Sequence, residues 1–428
     1  MALWSLPDLV SFVREKSPFY RRLYAGLPER VASVTELPVP KQEDYWKANA
    51  LQGNELLTGP MNDGVVFKSG GTTGNPKFSV FAREEWEVFC AAFGRGVAAA
   101  GLRAGDRVAN LFYGGELYGS LLFINKSLEM SPVAVLQLPI GGSASPEETL
   151  RLVRDFGATV LAGVPTTILN LAERAAATAL DPRELKLRRV LFGGEALYDD
   201  QRQRLARIFP GVEVGSIGYA STDAGLLGYA DATCGVDEHR AFDGDTLLEI
   251  LDEETLRPIE ESGREGLIHV TNLTRALMPV LRYPVGDRGA WRDPPGAADR
   301  RFVLRGRSEE AARVGLVKLY VEDVRRALGA AAAEMKVADF QLIVLHHDLR
   351  DGLVVRVAAE AATGRAAAAE CVVAELHRAR PLYAQFVRES KIHPIRVEWV
   401  RPGELETNPR TGKLRRVVDR RGSAAGGA

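Results

Sequence analysis

Cysteine is scarce in this sequence, with 3 among 428 residues. Cys90, Cys234 and Cys371 lie far apart along the chain, so they form no Cys-x-x-Cys metal motif, and three thiols are too few for a disulfide framework. Such sparse cysteine usage fits a reducing compartment. We therefore expect a cytoplasmic protein.

An excess of one charge is also absent, because 55 Lys and Arg balance 56 Asp and Glu. The formal net charge of -1 excludes the strong basic field of a protein that coats nucleic acid, and we predict no nucleic-acid partner. No uninterrupted apolar run approaches the ~20 residues that a membrane span requires. Met1 to Ser17 carries Asp8 within its apolar stretch and no basic segment before it, so we expect neither a signal peptide nor a membrane anchor.

What the sequence does contain is the composition of a folded protein, 46% hydrophobic and 26% charged. Between residues 104 and 230, short apolar runs alternate with amphipathic segments. The predicted strands are Arg107–Phe112, Val133–Leu138, Thr159–Ala162, Arg189–Phe192 and Val212–Ile217, and the predicted helices are Pro146–Phe156, Thr166–Ala177 and Asp199–Phe209. This alternation predicts an α/β fold with mostly parallel sheets in a large N-terminal domain, and ligand sites at the carboxyl ends of the strands.

The pattern changes after residue 230. Leu247–Leu251 and Gly266–Thr271 are predicted antiparallel strands, and a polar stretch with Pro and Gly runs from Gly286 to Arg301. A smaller α+β module begins near Gly306, and its predicted elements are helices from Val321 and Arg365 and strands over Phe340–His346, Leu353–Ala358 and Ile395–Val400. We predict domains over residues 1–306 and 307–421, and a flexible tail of Gly, Ala and Ser over 422–428.

The segment from Lys68 to Lys77 packs three glycines, three hydroxyl side chains and two lysines into ten residues. Glycines let backbone N–H groups approach an anion, while hydroxyls and lysines donate to its oxygens, so this composition suits a phosphate. It is not a Walker A loop, because Asn75 and Pro76 separate the last glycine from the lysine. From composition alone, an ordinary surface loop remains an equal alternative.

The order of residues in this loop resembles a motif of the adenylate-forming (AMP-binding) ligase superfamily, and four further segments resemble that family's motifs in the same order. These are Gly218 to Asp223, Tyr283 to Asp287, Gly306 to Glu310 and Thr411 to Arg416. Within the superfamily, the segments Ser17 to Tyr20, Gly163 to Thr166 and Phe192 to Glu195 are most similar to the phenylacetate–CoA ligase branch. The resemblance covers nearly the whole chain and implies that residues 1–306 bind ATP and an acid, while residues 307–421 form a mobile lid.

The resemblance implies an ATP site. The residues expected there are Ser69, Gly70, Gly71, Thr72, Thr73, Gly74, Lys77, Gly193, Gly194, Glu195, Tyr219, Ser221, Asp287 and Arg307. The chemistry of three of them agrees, since Tyr219 offers a flat face to adenine, Asp287 can accept both ribose hydroxyls, and Arg307 can donate to ribose or phosphate. A half-buried strand-end tyrosine, a turn aspartate and a surface arginine remain the structural alternatives for these three.

Three residues are expected to serve catalysis, and they are Lys413, Thr222 and Asp223. A cation such as Lys413 would stabilise the negative charge that develops when a carboxylate attacks the α-phosphorus of ATP. The alternative is a solvated basic tail, because other arginines surround this lysine. Asp223 occupies the position of the family's Mg²⁺-binding glutamate with a side chain one methylene shorter, and its hard oxygens suit Mg²⁺.

The acid is expected to bind among Tyr113, Gly114, Tyr118, Gly119 and Gly218, because aromatic walls with glycine floors suit a flat substrate. A structural loop that carries tyrosines is an equal alternative for residues 113–119. The hinge motif reads Glu309-Glu310 where the family has two aspartates.

We predict no zinc site, because Cys234 and His239 supply only two of the four ligands that a closed site needs and residues 287–305 contain no cysteine. We interpret His346-His347-Asp348 as surface histidines at a turn, since they lack the i,i+4 spacing of a helical metal motif.

The predicted function is ATP- and Mg²⁺-dependent activation of a small carboxylic acid, aromatic by resemblance, as its acyl-adenylate with release of pyrophosphate. The acyl group would pass to the thiol of CoA or of a carrier-protein pantetheine. Two alternatives remain open. One is an adenylate-forming relative with another acceptor, either an amide ligase or a nitrite-dependent aryl-amine diazotase. The other is a non-catalytic nucleotide-binding relative. A homodimer is an open alternative to a monomer.

Overall fold

The structure is a computed structural model that describes residues 4–69, 77–178, 182–194, 197, 199–307, 311–331, 337–359, 364–401, 404–406 and 416–421. The chain divides into two compact units. The first comprises Met1–Leu197 with Arg202–Ser308, and the second comprises Tyr198–Gln201 with Glu309–Ala428.

Most elements of the chain precede residue 308. The helices described there are α1 (Leu6–Lys16), α2 (Pro18–Leu23), α3 (Gln42–Ala48), α4 (Arg83–Ala99), α5 (Ser120–Glu129), α6 (Pro146–Asp155), α7 (Pro165–Ala177) and α8 (Asp199–Ile208). The strands are β1 (Val65–Ser69), β2 (Lys77–Phe81), β3 (Arg107–Asn110), β4 (Leu136–Pro139), β5 (Val160–Gly163), β6 (Arg189–Phe192), β7 (Glu213–Ser216), β8 (Tyr219–Ser221), β9 (Gly225–Tyr229), β10 (Glu238–Ala241), β11 (Thr246–Leu251), β12 (Glu265–Asn272), β13 (Tyr283–Trp291) and β14 (Arg301–Arg307).

Five strands form a parallel sheet in the order β4-β3-β5-β6-β7, and this confirms the predicted βαβ alternation. Helix α6 begins as predicted, because Ser145 Oγ accepts the Glu148 N–H at 3.2 Å and Pro146 occupies the first turn. The prediction for β4 is wrong at its start, which lies at Leu136 rather than Val133. The Val133 N–H donates instead to Ser131 Oγ at 3.2 Å, so this residue belongs to the turn after α5.

Seven strands form an antiparallel sheet in the order β11-β12-β13-β14-β10-β9-β8, so the expectation of mostly parallel sheets holds for the five-stranded sheet and not for this one. The polar stretch with Pro and Gly from Gly286 to Arg301 begins inside a strand, because its first six residues belong to β13, which ends at Trp291. They are held there because Gly289 packs where a Cβ would lie 2.9 Å from Ile268 Cδ1, while Trp291 is 6% exposed.

Helices α2 and α3 are hydrogen-bonded to the segment that precedes β13. Tyr20 and Tyr45, both fully buried, donate their hydroxyls to the Pro279 carbonyl, each at 3.0 Å. Trp46 Nε1 donates to the Tyr283 hydroxyl at 2.9 Å. This buried aromatic cluster fixes the start of β13 and so the position of the residues that follow Tyr283 in the strand.

The second unit contains an α+β arrangement. Its described elements are β15 (Ala311–Val314), β16 (Val317–Tyr320), α9 (Val321–Ala331), β17 (Val337–His347), β18 (Arg350–Ala359), α10 (Arg365–Ala379), α11 (Pro381–Arg388), β19 (Arg396–Val400) and β20 (Val417–Asp419). Four of these strands form one sheet in the order β19-β18-β17-β20. The hairpin turn is tighter than predicted, because β17 and β18 pair as far as His347 and Arg350 and leave two turn residues, Asp348 and Leu349, with φ of 47° and 65°.

Among the described residues of both units, no helix combines the length and the apolar character needed to cross a bilayer.

Candidate active site

Two residues from separate motifs meet on the curled antiparallel sheet. The Tyr219 hydroxyl donates to Asp287 Oδ2. Tyr219 opens β8 at one edge of the sheet, whereas Asp287 lies in β13, and β9, β10 and β14 lie between them. A flat sheet would separate the two strands by ~19 Å at ~4.8 Å per step, so the sheet must curl to join these side chains. The structure therefore brings the predicted adenine and ribose residues together.

The Tyr219 ring packs against a buried histidine and a buried phenylalanine. The ring centroid of Tyr219 lies 5.7 Å from that of His239 and 6.2 Å from that of Phe302. Burial lowers the pKa of His239 to about 4, so the imidazole is neutral at physiological pH. Its Nε2 lies 2.9 Å from Ser216 Oγ, which also accepts the Gly218 N–H at 3.1 Å. The Tyr219 ring thus packs against an uncharged imidazole and a phenyl ring.

Gly218 itself has a steric reason to be glycine. Its φ is +130°, and a Cβ there would lie 2.8 Å from the Phe93 ring. Two residues after β6, Gly194 has a φ of +80° and Gly193 packs where a Cβ would lie 2.8 Å from Ile217 Cγ2. Gly193 and Gly194 follow the end of β6, and Gly218 follows the end of β7. The sequence predicts a ligand at such strand ends. Glu195 lies outside the described residues.

The Thr222–Asp223 segment is held by a buried cation that our sequence analysis did not single out. Arg275 is fully buried, and its Nη1 donates to the Asp223 carbonyl at 2.8 Å and to the Thr222 carbonyl at 3.4 Å. Its Nη2 donates to the Val80 carbonyl at 3.3 Å, and its guanidinium lies 4.1 Å from the centroid of the Phe81 ring. Arg275 therefore ties the segment after β8 to strand β2.

Glu85 completes this connection from helix α4. Its Oε1 accepts the N–H groups of Ala276 and Leu277, both at 2.7 Å, and its Oε2 accepts the Ala82 N–H at 3.0 Å. The side chain is 2% exposed. From the sequence, only the capping contact with Ala82 could be predicted, because Glu85 is the third residue of α4. Ala276 and Leu277 are about 190 residues away along the chain, so no local pattern indicates those contacts.

Asp223 has an acceptor oxygen available for a ligand. Its Oδ1 is buried and accepts no hydrogen bond from any residue that the structure describes. An unpaired buried carboxylate oxygen is costly unless a cation or a donor joins it. A hard oxygen of this kind fits Mg²⁺, so the residue present suits the metal expected from the sequence. Nearby, Ser221 Oγ accepts the Ala224 N–H at 3.0 Å and so shapes the turn.

Strands β1 and β2 bring the two ends of the glycine-rich loop together, because Ser69 pairs with Lys77 in an antiparallel register. The residues predicted to contact phosphate, Gly70 to Gly74, lie outside the described residues. Lys77 Nζ lies 4.9 Å from the centroid of the Trp46 ring. The base of the loop is thus a two-stranded hairpin with one lysine on an aromatic face.

The predicted acid-pocket residues follow strand β3. The Tyr113 hydroxyl lies 2.9 Å from Thr167 Oγ1, and Gly119 packs so closely that a Cβ would lie 2.2 Å from the Phe67 ring. Gly114 is exposed, and Tyr118 is 45% exposed. The structure joins Tyr113 to helix α7 and joins Gly119 to strand β1. Tyr118 is placed by its backbone, because its N–H donates to the Gly115 carbonyl at 2.8 Å.

Two predicted residues lie near or beyond the hinge. Arg307 ends β14 and stands opposite Asp287 in the strand register. Lys413 lies outside the described residues, and the nearest described residues on either side of it are Glu406 and Arg416. Gln341 and Glu406 exchange hydrogen bonds of 2.7 and 3.0 Å, and Arg416 Nη1 donates to the Phe340 carbonyl at 3.0 Å.

Comparison with known proteins identifies the class of enzyme to which this site belongs. Residues 33–276, more than half of the chain, match the AMP-binding enzyme family, and the chain belongs to that family. A phenylacetate-coenzyme A ligase from Thermus thermophilus is 28% identical over 97% of this chain and 95% of its own length, which confirms the predicted branch. An indoleacetate–lysine synthetase from Pseudomonas savastanoi is 32% identical over 30% of this chain and 28% of its own length.

Among solved structures, a 2-hydroxyisobutyryl-CoA ligase matches 97% of this chain and 88% of its own at 21% identity, with a TM-score of 0.75. This likeness confirms the predicted fold class, a mixed α/β large domain with a smaller C-terminal domain.

Proposed function

We propose that the protein activates a small carboxylic acid with ATP and transfers the acyl group to the thiol of CoA. In the first half-reaction, a carboxylate oxygen attacks the α-phosphorus of ATP and pyrophosphate leaves. In the second, the thiol sulfur attacks the acyl carbon and AMP leaves. The observation that carries this proposal is the Tyr219–Asp287 contact, which places an aromatic face beside a carboxylate on the inner curve of one sheet.

Nucleotide binding follows from these two side chains. We assign adenine to the Tyr219 ring, which His239 and Phe302 support, and ribose to Asp287, whose carboxylate already accepts a hydroxyl hydrogen bond. A carboxylate that accepts one hydroxyl can accept ribose hydroxyls in the same geometry. Strand register adds Arg307 opposite Asp287.

Charge neutralisation is assigned to a metal and a lysine. Asp223 would hold Mg²⁺ through the buried Oδ1, and the metal would supply positive charge to phosphate oxygens. Arg275 fixes the backbone of Asp223, which keeps the carboxylate in place. Lys413 would act on the same charge during adenylation only; the nearest described residues before and after it, Glu406 and Arg416, are hydrogen-bonded to β17. We assign residues 1–306 to ATP and acid binding and residues 307–421 to a lid.

The acid and the acceptor follow the relatives. The Thermus relative is named for phenylacetate and coenzyme A, and an aromatic acid fits a pocket that includes the Tyr113 ring. We expect a cytoplasmic enzyme that uses CoA or a carrier-protein pantetheine. The other candidate function is amide formation, which the similarity of 130 residues to an enzyme named for joining indoleacetate and lysine favours.

A two-stage screen tests the proposal. ATP–pyrophosphate exchange is measured across a panel of aromatic and aliphatic acids, and active acids are then offered with CoA, a pantetheinylated carrier, an amine or nitrite. We expect exchange with a small aromatic acid and a thioester with CoA. An Asp287→Ala variant should remain folded and bind ATP more weakly. Exchange without a thioester would reject the thiol acceptor, and unchanged ATP affinity in Asp287→Ala would reject the site.

A further inference from the structure

Three side chains on the second unit gather at one surface although 44 residues lie between the second of them, Asp348, and the third, His393. His347 ends β17, Asp348 is the first turn residue, and His393 lies between α11 and β19. One potential ligand atom of each lies within 4.8 Å of the others. The cluster cannot be recognised from the sequence, because only His347 and Asp348 are neighbours along the chain.

The backbone at both histidines is fixed by contacts outside the cluster. The His393 N–H donates to the Asp351 carbonyl at 2.8 Å, and the His393 carbonyl accepts the Tyr383 hydroxyl at 3.1 Å. Gly352 leaves the space that His393 fills, since a Cβ on Gly352 would lie 3.2 Å from His393 Cβ. His347 pairs with Arg350 across the hairpin. The fold therefore fixes the positions of the two histidines.

Each imidazole keeps one nitrogen for a ligand. His393 Nε2 lies 2.9 Å from the His347 carbonyl, so this nitrogen carries the proton and Nδ1 has the lone pair. Hydrogen bonds such as the one from His393 Nε2 set the tautomer and the basicity of metal-ligating histidines. His347 Nδ1 lies 3.1 Å from Asp348 Oδ2, so a metal ion that displaces the proton between these two atoms would have both of them as ligands.

We propose that His347, His393 and Asp348 bind one divalent transition-metal ion, with open positions for water or an exogenous donor. Two imidazole nitrogens with one carboxylate oxygen favour Zn²⁺, Co²⁺, Ni²⁺ or Cu²⁺ over Mg²⁺ and Ca²⁺, which prefer oxygen ligands. None of these three residues is assigned to the nucleotide or the acid, so the proposal does not depend on the proposed function.

Metal binding requires a small movement of the exposed side chains. The two rings are stacked, with centroids 3.9 Å apart and planes inclined by 16°, so their in-plane lone pairs run side by side. Ligand atoms ~2.1 Å from a tetrahedral ion lie ~3.4 Å apart. The His347 side chain is 44% exposed and that of Asp348 81% exposed, so both can rotate toward a common ion while His393 stays in place. The Arg350 guanidinium is directed to the Ser390 carbonyl at 3.4 Å.

Cobalt titration of the full chain without an affinity tag tests the site. Co²⁺ is followed by its visible absorption, and Zn²⁺ competition and a Mg²⁺ excess are added as separate arms. We expect one equivalent that Zn²⁺ displaces and Mg²⁺ does not, and an affinity at least roughly tenfold lower in His347→Gln, His393→Gln and Asp348→Asn. The matched control is His377→Gln, which removes a histidine of the same unit that lies outside the cluster and should bind as the parent does.

Two outcomes would overturn the proposal. One is the absence of a bound equivalent in the parent, and the other is parental affinity in the His347→Gln and Asp348→Asn variants. Asp348→Asn keeps the test decisive if a histidine variant misfolds, because it changes an exposed turn residue. Circular dichroism confirms the fold of each variant before titration.

Discussion

Replacing Tyr219 separates the two roles that the structure gives it. Tyr219→Ala removes both the ring and the hydroxyl, whereas Tyr219→Phe keeps the ring and removes only the donor to Asp287. Stacking of a base on an aromatic side chain contributes roughly 1–3 kcal/mol, so Tyr219→Ala should weaken ATP binding by about 5- to 150-fold. The hydrogen bond to the Asp287 carboxylate joins two residues of this chain and is not made to ATP, so Tyr219→Phe, which keeps the ring, should change ATP affinity by no more than about fivefold, or ~1 kcal/mol.

The adjacent strand offers a matched control. Tyr229 in β9 donates its hydroxyl to Asp299 Oδ2 at 2.8 Å and packs its ring 5.1 Å from that of Phe242. This pair has the same chemistry as Tyr219 and Asp287 but belongs to none of the motif segments. Tyr229→Ala should therefore bind ATP as the parent does, even where its thermal midpoint falls.

Isothermal titration with ATP and Mg²⁺ in the absence of acid measures these affinities, and thermal unfolding verifies each fold. The expected order of dissociation constants is parent and Tyr229→Ala lowest, Tyr219→Phe close to them, and Tyr219→Ala highest. Parental affinity in a folded Tyr219→Ala variant would refute the stacking assignment. An equal loss in Tyr229→Ala would show that general destabilisation of the sheet, and not the ring of Tyr219, weakens binding.

Three further changes test other parts of the site. Lys413→Ala should keep ATP binding but lose ~2.7–4 kcal/mol of transition-state stabilisation in acid-dependent pyrophosphate release, and it should still convert a prepared acyl-adenylate. Arg410→Ala is the control. Pyrophosphate release by Lys413→Ala at the parental rate would show that the lysine takes no part in adenylation. Arg275→Met should lower the free energy of unfolding by about 3–5 kcal/mol in urea, because it leaves buried carbonyls unpaired, whereas the exposed Arg264→Met should change it by less than about 1 kcal/mol. Asp223→Asn should raise the Mg²⁺ concentration needed for half-maximal exchange, and an unchanged requirement would remove Asp223 from the metal site.

Much of the fold could be predicted from local sequence. Alternating apolar runs and the Ser145-Pro146 helix start define βαβ units, because burial and capping act over a few residues. The β4 boundary could not be placed from apolar content, since the hydrogen bond that the Val133 N–H donates to Ser131 Oγ decides it. The strand from Tyr283 to Trp291 was hidden by its glycines and polar residues, which tertiary packing accommodates.

The site was only partly predictable for a similar reason. Motifs identify Tyr219 and Asp287, but their contact depends on the curl of a seven-stranded sheet, which no local pattern specifies. Arg275 and Glu85 could not be recognised, because a buried charge has meaning only through partners that are distant in sequence.

The histidine prediction shows the same limit. His347 is on the surface as expected, but the side chain of His346 is 7% exposed and its Nδ1 lies 2.9 Å from Asp351 Oδ1. The expectation of two surface histidines is therefore wrong for His346, because side chains alternate across a strand and this one faces inward.

The central claim is that this chain forms an acyl-adenylate, and oxygen isotope transfer tests it most directly. The protein is supplied with ATP, Mg²⁺, CoA and an active acid whose carboxylate carries ¹⁸O, and the products are analysed by mass spectrometry. The carboxylate oxygen that attacks the α-phosphorus stays with phosphorus when the thiol attacks the acyl carbon. The account predicts one ¹⁸O in AMP and none in pyrophosphate, together with an acyl-CoA thioester. Unlabelled AMP alongside the thioester, or ADP in place of AMP, would contradict it.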